Sequence, residues 1–280
     1  MSLISYFKIT RPFNIFFVAI SVLFGAYWKT NFDFSNLIFP VLAALSASFI
    51  AAAGYVINDF FDIEIDKINK PKRAIPSGKI SPISAKNFAI LMFIFGIIIS
   101  FIFKNLWMIL LASCNSILLW IYAYKAKKLT FLDNILVSFF TASAFLYGGL
   151  ANENIANSYF IFFCAFVFTI IREIVKDLED IKGDKKNNAK TIPIIFGKNV
   201  TFVLLFLFWI FLTILTIFGY ERFYEISVFA ILILLVGFFI PINLSNLFLK
   251  FSKKKASFSS KMMKVNMFVI LLVLWFSQYF

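Results

Sequence analysis

Apolar residues run along this chain in long stretches, broken by short polar ones. Nine such runs lie near 12–28, 36–57, 86–103, 106–124, 132–151, 157–175, 200–219, 226–247 and 263–280. Each is close to the ~20 residues a helix needs to cross a hydrocarbon core. The runs do not alternate polar and apolar positions, as membrane strands do. The pattern therefore predicts an all-α, polytopic protein of nine transmembrane helices. Only Lys104 and Asn105 separate the third run from the fourth, which predicts a tight turn. The first run reads as a span, without a cleavable leader.

Charge gives the expected orientation. Of the 27 Lys and Arg, 24 fall on one side of the alternating spans: in the N-terminal segment and after the second, fourth, sixth and eighth runs. Lys29, Lys104 and Arg222 fall on the other side. Basic loops stay in the cytoplasm, so the N-terminus is expected there, and Phe280 outside. The net charge of +13 calls for no nucleic acid. Attraction of basic loops, including Lys253–Lys255, to anionic headgroups accounts for it.

Composition narrows the chemistry. With 61% hydrophobic and 15% charged residues the chain is far from the ~25% charged of a soluble domain. It has no His, which removes His-based triads, His-ligated zinc or haem, and a His general base. Cys114 and Cys164 lie in apolar runs and read as buried small hydrophobes, not a disulfide.

Nine of the 14 acidic residues crowd into two short windows. The first holds Asp59, Asp62, Glu64 and Asp66; the second holds Glu173, Asp177, Glu179, Asp180 and Asp184. Both sit at the cytoplasmic ends of predicted helices. A carboxylate at the bilayer centre costs about 2.5–3.5 kcal/mol on insertion scales, and clustering adds repulsion, so something must offset both. Asp59, Asp62 and Asp66 are spaced i, i+3, i+7, and Asp177, Asp180 and Asp184 repeat that spacing. Asn58, Asp62 and Asp66 follow at i, i+4, i+8. On a helix these positions share a face. Four spans separate the windows, which suggests one domain over 1–280 with two similar halves, roughly 1–130 and 131–280, sharing a cavity. Oxygen-only clusters suit Mg²⁺ or Mn²⁺. Mg²⁺ is usually held by one or two carboxylates with phosphates and water, so the windows are expected to bind a diphosphate through Mg²⁺. Lys67, Lys70, Arg73, Lys176 and Lys182 flank them as phosphate contacts. Glu64 and Glu179 read as solvated, while Glu173 either lines the cavity or pairs with Arg172.

At these residues the chain resembles the UbiA superfamily of intramembrane prenyltransferases. Asn58-Asp-Phe-Phe-Asp62-Ile-Glu-Ile-Asp66 is similar to that family's first motif, and Lys67 through Gly78 to the loop that follows it. Arg172-Glu-Ile-Val-Lys-Asp177-Leu-Glu-Asp180-Ile-Lys-Gly-Asp184, followed by Lys190-Thr-Ile-Pro193 and Gly197, is similar to the second. Arg11-Pro12-Phe13-Asn14 resembles the opening of the first span. Ala74 departs from the pattern, which has Pro between Arg73 and Ile75.

The resemblance implies a nine-helix bundle around a central cavity open to lipid, and Mg²⁺-dependent transfer of a polyprenyl group from its diphosphate. It implies one Mg²⁺ on Asn58, Asp59, Asp62 and Asp66, and another on Asp177, Asp180 and Asp184. Arg11 and Asn14 face the same pocket, Arg11 on phosphate, and Asp62, Asp180 and Arg11 carry the catalysis. Within the family, both segments look most like the branch that transfers geranylgeranyl to glycerol-phosphate lipids. An acceptor phosphate would meet Lys128, Arg73 or Lys190. Tyr147 and Tyr124 are candidates for facing the allylic cation. Gly54 and Gly148-Gly149 read as helix-packing positions, and Asn115 as a polar link between helices. Membrane lipids surround the protein, and a monomer is expected.

Three other readings are weighed. The first is the same family chemistry on an aromatic acceptor, a quinone or tetrapyrrole precursor. The second is a phosphatidyl-type transferase, whose Asp-Gly-x-x-Ala-Arg stretch is missing here. The third is a cation transporter, which would place its ionisable residues near the midplane, where these spans carry almost none.

Overall fold

The computed structural model describes residues 3–30, 36–124, 131–186, 189–219, 225–249 and 251–276. Lys128, Arg222 and Phe280, named above, lie outside the described residues. The first elements are α1 (Leu3–Ile9), α2 (Pro12–Tyr27), α3 (Ile38–Phe61), α4 (Ile63–Asn69), α5 (Pro82–Phe101) and α6 (Leu106–Tyr124). They are followed by α7 (Leu132–Ala151), α8 (Ile155–Lys186), α9 (Ile192–Ile195), α10 (Gly197–Phe218), α11 (Ile226–Leu249) and α12 (Lys253–Phe276).

Among the described residues, eight helices are long and apolar enough to cross a membrane: α3, α5 to α8, and α10 to α12. The pair α1–α2, bent by 55° at Thr10–Arg11, makes a ninth when taken as one span. The 16 residues of α2 alone reach only ~24 Å, short of a ~30 Å hydrocarbon core. Large apolar side chains such as Trp107, Val203 and Phe218 stand exposed on the outside, as lipid as the solvent allows. The protein is an all-α, multi-pass membrane protein.

The ends of several helices differ from the hydropathy pattern. The third span starts at Pro82, with the Ser81 hydroxyl accepting the Ser84 N–H at 3.1 Å. Lys86 is therefore helical. The last span starts at Lys253, so Lys253–Lys255, Lys261 and Lys264 lie on a helix and not in a loop. The sixth continues to Lys186, which puts the whole second acidic window inside α8. Hydropathy marks where a helix meets lipid, whereas backbone hydrogen bonding carries it on into water. Cys114 lies exposed on the outer surface, contrary to the expected burial, and both cysteines are free.

The chain divides into two compact units, Met1–Ala126 with Ser143–Tyr159, and Lys127–Ala142 with Phe160–Phe280. In the first, α3 packs on α2, α5 and α6. Small residues let it do so: a Cβ on Gly54 would come within 3.0 Å of Leu119. The closest approach is between α2 and α7, where a Cβ on Gly148 would lie 1.8 Å from the Val22 carbonyl oxygen and one on Gly25 2.0 Å from that of Phe145. Backbones this close permit no side chain between them. The Asn154 amide then caps the end of α2, donating to the Trp28 carbonyl at 2.7 Å, and the Ser158 hydroxyl donates to that of Gly25 at 2.9 Å. Asn115 on α6 donates to Ser143 on α7 at 3.0 Å, the polar link expected of it.

In the second unit, α11 loosens to a π-helical stretch over Ile233–Phe239. Pro241 has no N–H to return to the preceding turn. Side chains take up the freed carbonyls: the Trp209 indole donates to Val236 at 2.9 Å and Asn266 to Leu235 at 3.1 Å.

Candidate active site

The first acidic segment is built where α3 ends. Asp62 closes α3 and opens α4 with φ −88° and ψ 5°, the bridge region used at turns. The helix expected over Asn58–Asp66 is therefore broken in its middle. On an unbroken helix, Asp59 and Asp66 would stand roughly 10 Å apart along the axis. Here a single nitrogen of Arg73, Nη1, donates to Asp59 Oδ1 at 3.0 Å and to Asp66 Oδ2 at 2.5 Å. Both aspartates are buried.

Arg11 reaches the same carboxylate from the turn between α1 and α2. Its Nη2 donates to Asp59 Oδ1 at 2.7 Å, and its guanidinium lies 4.9 Å from the centre of the Tyr55 ring. Its backbone is left-handed, with φ 57°, a conformation costing roughly 1–3 kcal/mol in a residue with a Cβ. The ion pair and the ring contact hold it there. Arg11 and Arg73, both expected as phosphate contacts, thus meet on Asp59.

Asn58 and Asp62 form a second pair. Asn58 Nδ2 lies 3.4 Å from Asp62 Oδ2, while Asn58 Oδ1 is buried without a hydrogen-bond partner. A buried carbonyl oxygen without a donor is costly. Beside a carboxylate it is the oxygen donor a hard cation requires, so these residues fit Mg²⁺.

Beside this segment opens a cavity of about 650 Å³, whose charged lining residues are Lys8, Arg11, Asp59, Lys72, Arg73 and Lys79. The loop that carries the last three is held by Ile75 and Ile80, both buried. It turns at Gly78, whose φ of 74° suits a residue without a Cβ. Ala74 hydrogen-bonds Ile80 N–H through its carbonyl at 3.1 Å, so the loop closes without the proline of the family pattern.

The second segment is different. It lies on the continuous α8, where Asp177, Asp180 and Asp184 keep their helical spacing. Asp177 is met by Asn134 of α7, whose Nδ2 donates to Oδ2 at 2.9 Å; Asn134 Oδ1 is buried and unpartnered. This repeats the Asn58–Asp62 arrangement with the amide supplied by another helix. Asp133 stands within electrostatic reach of Asp177, Glu173 and Asp184. Sequence reasoning missed both Asp133 and Asn134. Their signal was a polar pair opening an otherwise apolar span.

The other expected residues are placed as follows. Lys67 pairs with Glu64 at 2.7 Å on the exposed side of α4. Lys176 pairs with Glu173 at 3.1 Å, and Arg172 also bonds Glu173, so Glu173 takes the paired reading. Asn14 sits in the first turn of α2, its N–H bonding the Arg11 carbonyl at 2.9 Å. Tyr147 is buried, its hydroxyl 2.8 Å from Ser46 Oγ, which donates to the Gly96 carbonyl at 2.6 Å. Tyr124 is exposed, 5.3 Å from the Phe61 ring. Lys190 is exposed beyond α8. Among the described residues no three carboxylates close into a ready-made metal cage.

Comparisons with known proteins agree with this architecture. The model of the UbiA prenyltransferase family matches residues 15–271. Digeranylgeranylglyceryl phosphate synthase of Methanococcus vannielii is 38% identical over 271 residues, covering 95% of this chain and 94% of its own. A solved structure of a digeranylgeranylglyceryl phosphate synthase, 32% identical, superposes with a TM-score of 0.85 over 99% of this chain and 98% of its own. A UbiA homolog from Archaeoglobus fulgidus, bound to DMAPP and Mg²⁺, shares the fold at 19% identity, with a TM-score of 0.71 over 96% of this chain and 99% of its own. The chain is therefore a membrane prenyltransferase and belongs to the UbiA prenyltransferase family.

Proposed function

We propose that this enzyme transfers a geranylgeranyl group from its diphosphate to the free hydroxyl of geranylgeranylglyceryl phosphate, at the cytoplasmic side of the membrane. The observation that carries this reading is the meeting of Arg11 and Arg73 on Asp59, beside the Asn58–Asp62 oxygens. Phosphate-binding cations and Mg²⁺-binding oxygens then stand side by side. Relatives named for digeranylgeranylglyceryl phosphate synthesis support the choice of donor and acceptor.

Asn58, Asp59, Asp62 and Asp66 would hold one Mg²⁺, and Asp177, Asp180 and Asp184, with Asn134, another, both serving one diphosphate. Bound Mg²⁺ would supply Lewis-acid stabilisation of the leaving diphosphate. Arg11 and Arg73 would pass from Asp59 to phosphate oxygens as donors in charge-assisted hydrogen bonds. The bond between the allylic carbon and the diphosphate oxygen breaks, its electron pair leaving with the diphosphate. The acceptor oxygen bonds to that carbon and gives up its proton, which leaves with the departing diphosphate. Apolar helices keep water from the allylic cation.

The test is product formation by purified enzyme from geranylgeranyl diphosphate with geranylgeranylglyceryl phosphate or with 4-hydroxybenzoate, each with and without EDTA. Expected is an ether product from the glycerol lipid that chelation abolishes and Mg²⁺ restores. Product from the aromatic acceptor alone would overturn the acceptor, and activity surviving EDTA would overturn the metal.

A further inference from the structure

The cavity beside the first acidic segment is more basic than a diphosphate site requires. Arg11 and Arg73 are engaged by Asp59, and Arg73 also by Asp66. The three lysines that line the same cavity, Lys8, Lys72 and Lys79, enter none of the ion pairs seen among the described residues, and all three are exposed. They come from two separate pieces of chain, α1 and the loop ahead of α5. Buried Ile9 of α1 and buried Ile75 and Ile80 of the loop belong to one apolar core, so the lysines are held on one framework. At about 650 Å³ the cavity is in the range of small-molecule sites, roughly 300–1,000 Å³.

Part of the lining of this cavity is apolar. Ile4 and Ile9 line it, and α1 leaves Leu3, Ile4 and Phe7 exposed at 87%, 63% and 64%. A short helix with an uncovered apolar face next to lysines is suited to the plane where acyl chains meet headgroups. A ligand matching both kinds of lining has an anionic head and a hydrocarbon tail.

We propose that Lys8, Lys72 and Lys79 form a subsite for the phosphomonoester of the acceptor lipid, separate from the cations that receive the diphosphate. The assignment rests on the acceptor reading given above. Two highly charged anions side by side repel, so the acceptor's phosphate needs cations of its own. A phosphomonoester carries close to two negative charges near neutral pH, and three ammonium groups match it as point charges. In a glycerol phosphate the hydroxyl is borne by a neighbouring carbon. A phosphate gripped by the lysines thus keeps that hydroxyl within the cavity that Arg11, Arg73 and Asp59 also line.

The test is steady-state kinetics of full-length wild type and of the triple variant Lys8→Gln, Lys72→Gln, Lys79→Gln, in vesicles of phosphatidylcholine alone and with phosphatidylglycerol added. The acceptors are geranylgeranylglyceryl phosphate and its dephosphorylated alcohol. Expected is a rise of at least tenfold in KM for the phosphorylated acceptor in both vesicles. KM for geranylgeranyl diphosphate should change less than threefold, and turnover of the alcohol should match wild type. Arg at the three positions should restore most of the loss. Lys253→Gln, Lys254→Gln, Lys255→Gln, which removes the same charge from α12, should leave the acceptor KM unchanged. An unaltered acceptor KM in the first variant, with an active wild type, overturns the subsite alone. Loss on both acceptors only in phosphatidylglycerol vesicles assigns the lysines to bulk anionic lipid and also overturns it. A wild type that leaves the phosphorylated acceptor untouched overturns the acceptor reading, and the subsite with it.

Discussion

The two acidic segments share one spacing in sequence and are built in two ways. In the first, the helix breaks at Asp62, and guanidinium groups from outside the segment close over Asp59 and Asp66. In the second, the helix runs straight through to Lys186, and an amide from a neighbouring helix meets Asp177. Each nevertheless has beside it an asparagine whose nitrogen faces an aspartate and whose oxygen is buried without a partner. The oxygen donors are alike; the charge placed against them is not. Arginines from outside the first segment neutralise Asp59 and Asp66, while Asp177 of the second is met by a neutral amide.

That difference can be broken from either side. The largest effect is expected where the segments are alike. Asp62→Ala and Asp180→Ala should each lower kcat by at least about 100-fold, as loss of a metal-holding carboxylate does in sites that depend on the ion. Near-wild-type turnover in either would remove that segment from the chemistry. Next is Arg73→Ala, which strips buried Asp59 and Asp66 of a shared partner. Removing one member of a buried ion pair costs roughly 3–5 kcal/mol. Arg11 remains on Asp59 and Arg73 is partly exposed, so about 2–3 kcal/mol is expected, read as a lowered unfolding midpoint in detergent.

Smaller is Asn134→Leu, which removes an amide donor from Asp177 and should cost about 1–2 kcal/mol by the same measure. It should also weaken Mg²⁺ activation, raising the Mg²⁺ concentration for half-maximal rate several-fold. A change in stability with unchanged Mg²⁺ dependence would make Asn134 a packing residue only. Smallest is the exposed pair on α4. Glu64→Gln or Lys67→Gln should shift stability by no more than about 0.5 kcal/mol, and a larger shift would place that face in the site.

Much of this fold is legible in the sequence because lipid imposes a simple rule on it. Runs of apolar residues must be helices, and the span ends at 106–124 and 132–151 fall where the structure has them. The rule fails where a helix leaves lipid. Lys253–Lys255 looks like loop by hydropathy, yet its backbone stays helical, and the helix that the spacing of Asp177–Asp184 implied runs on beyond the apolar run to Lys186. α1 went unread because seven residues carry too little periodicity to stand out. The two acidic windows were legible from clustering and spacing, but not the partners that the structure gives them. Nothing local announces that Arg73 gathers two aspartates, since this depends on the break at Asp62. Nor does anything announce that Asn134 meets a residue 43 positions later. Such pairings are set by tertiary packing, which single-sequence patterns do not contain.

Joint service of one diphosphate by both segments, through Mg²⁺, is the proposal on which the rest depends. Its most direct test is the binding of a non-reactive thiolo analogue of geranylgeranyl diphosphate, titrated with Mg²⁺, to wild type, Asp62→Ala and Asp180→Ala. Mg²⁺-dependent binding of one analogue per enzyme is expected, weakened in both variants. Wild-type affinity and Mg²⁺ dependence in either variant would contradict it.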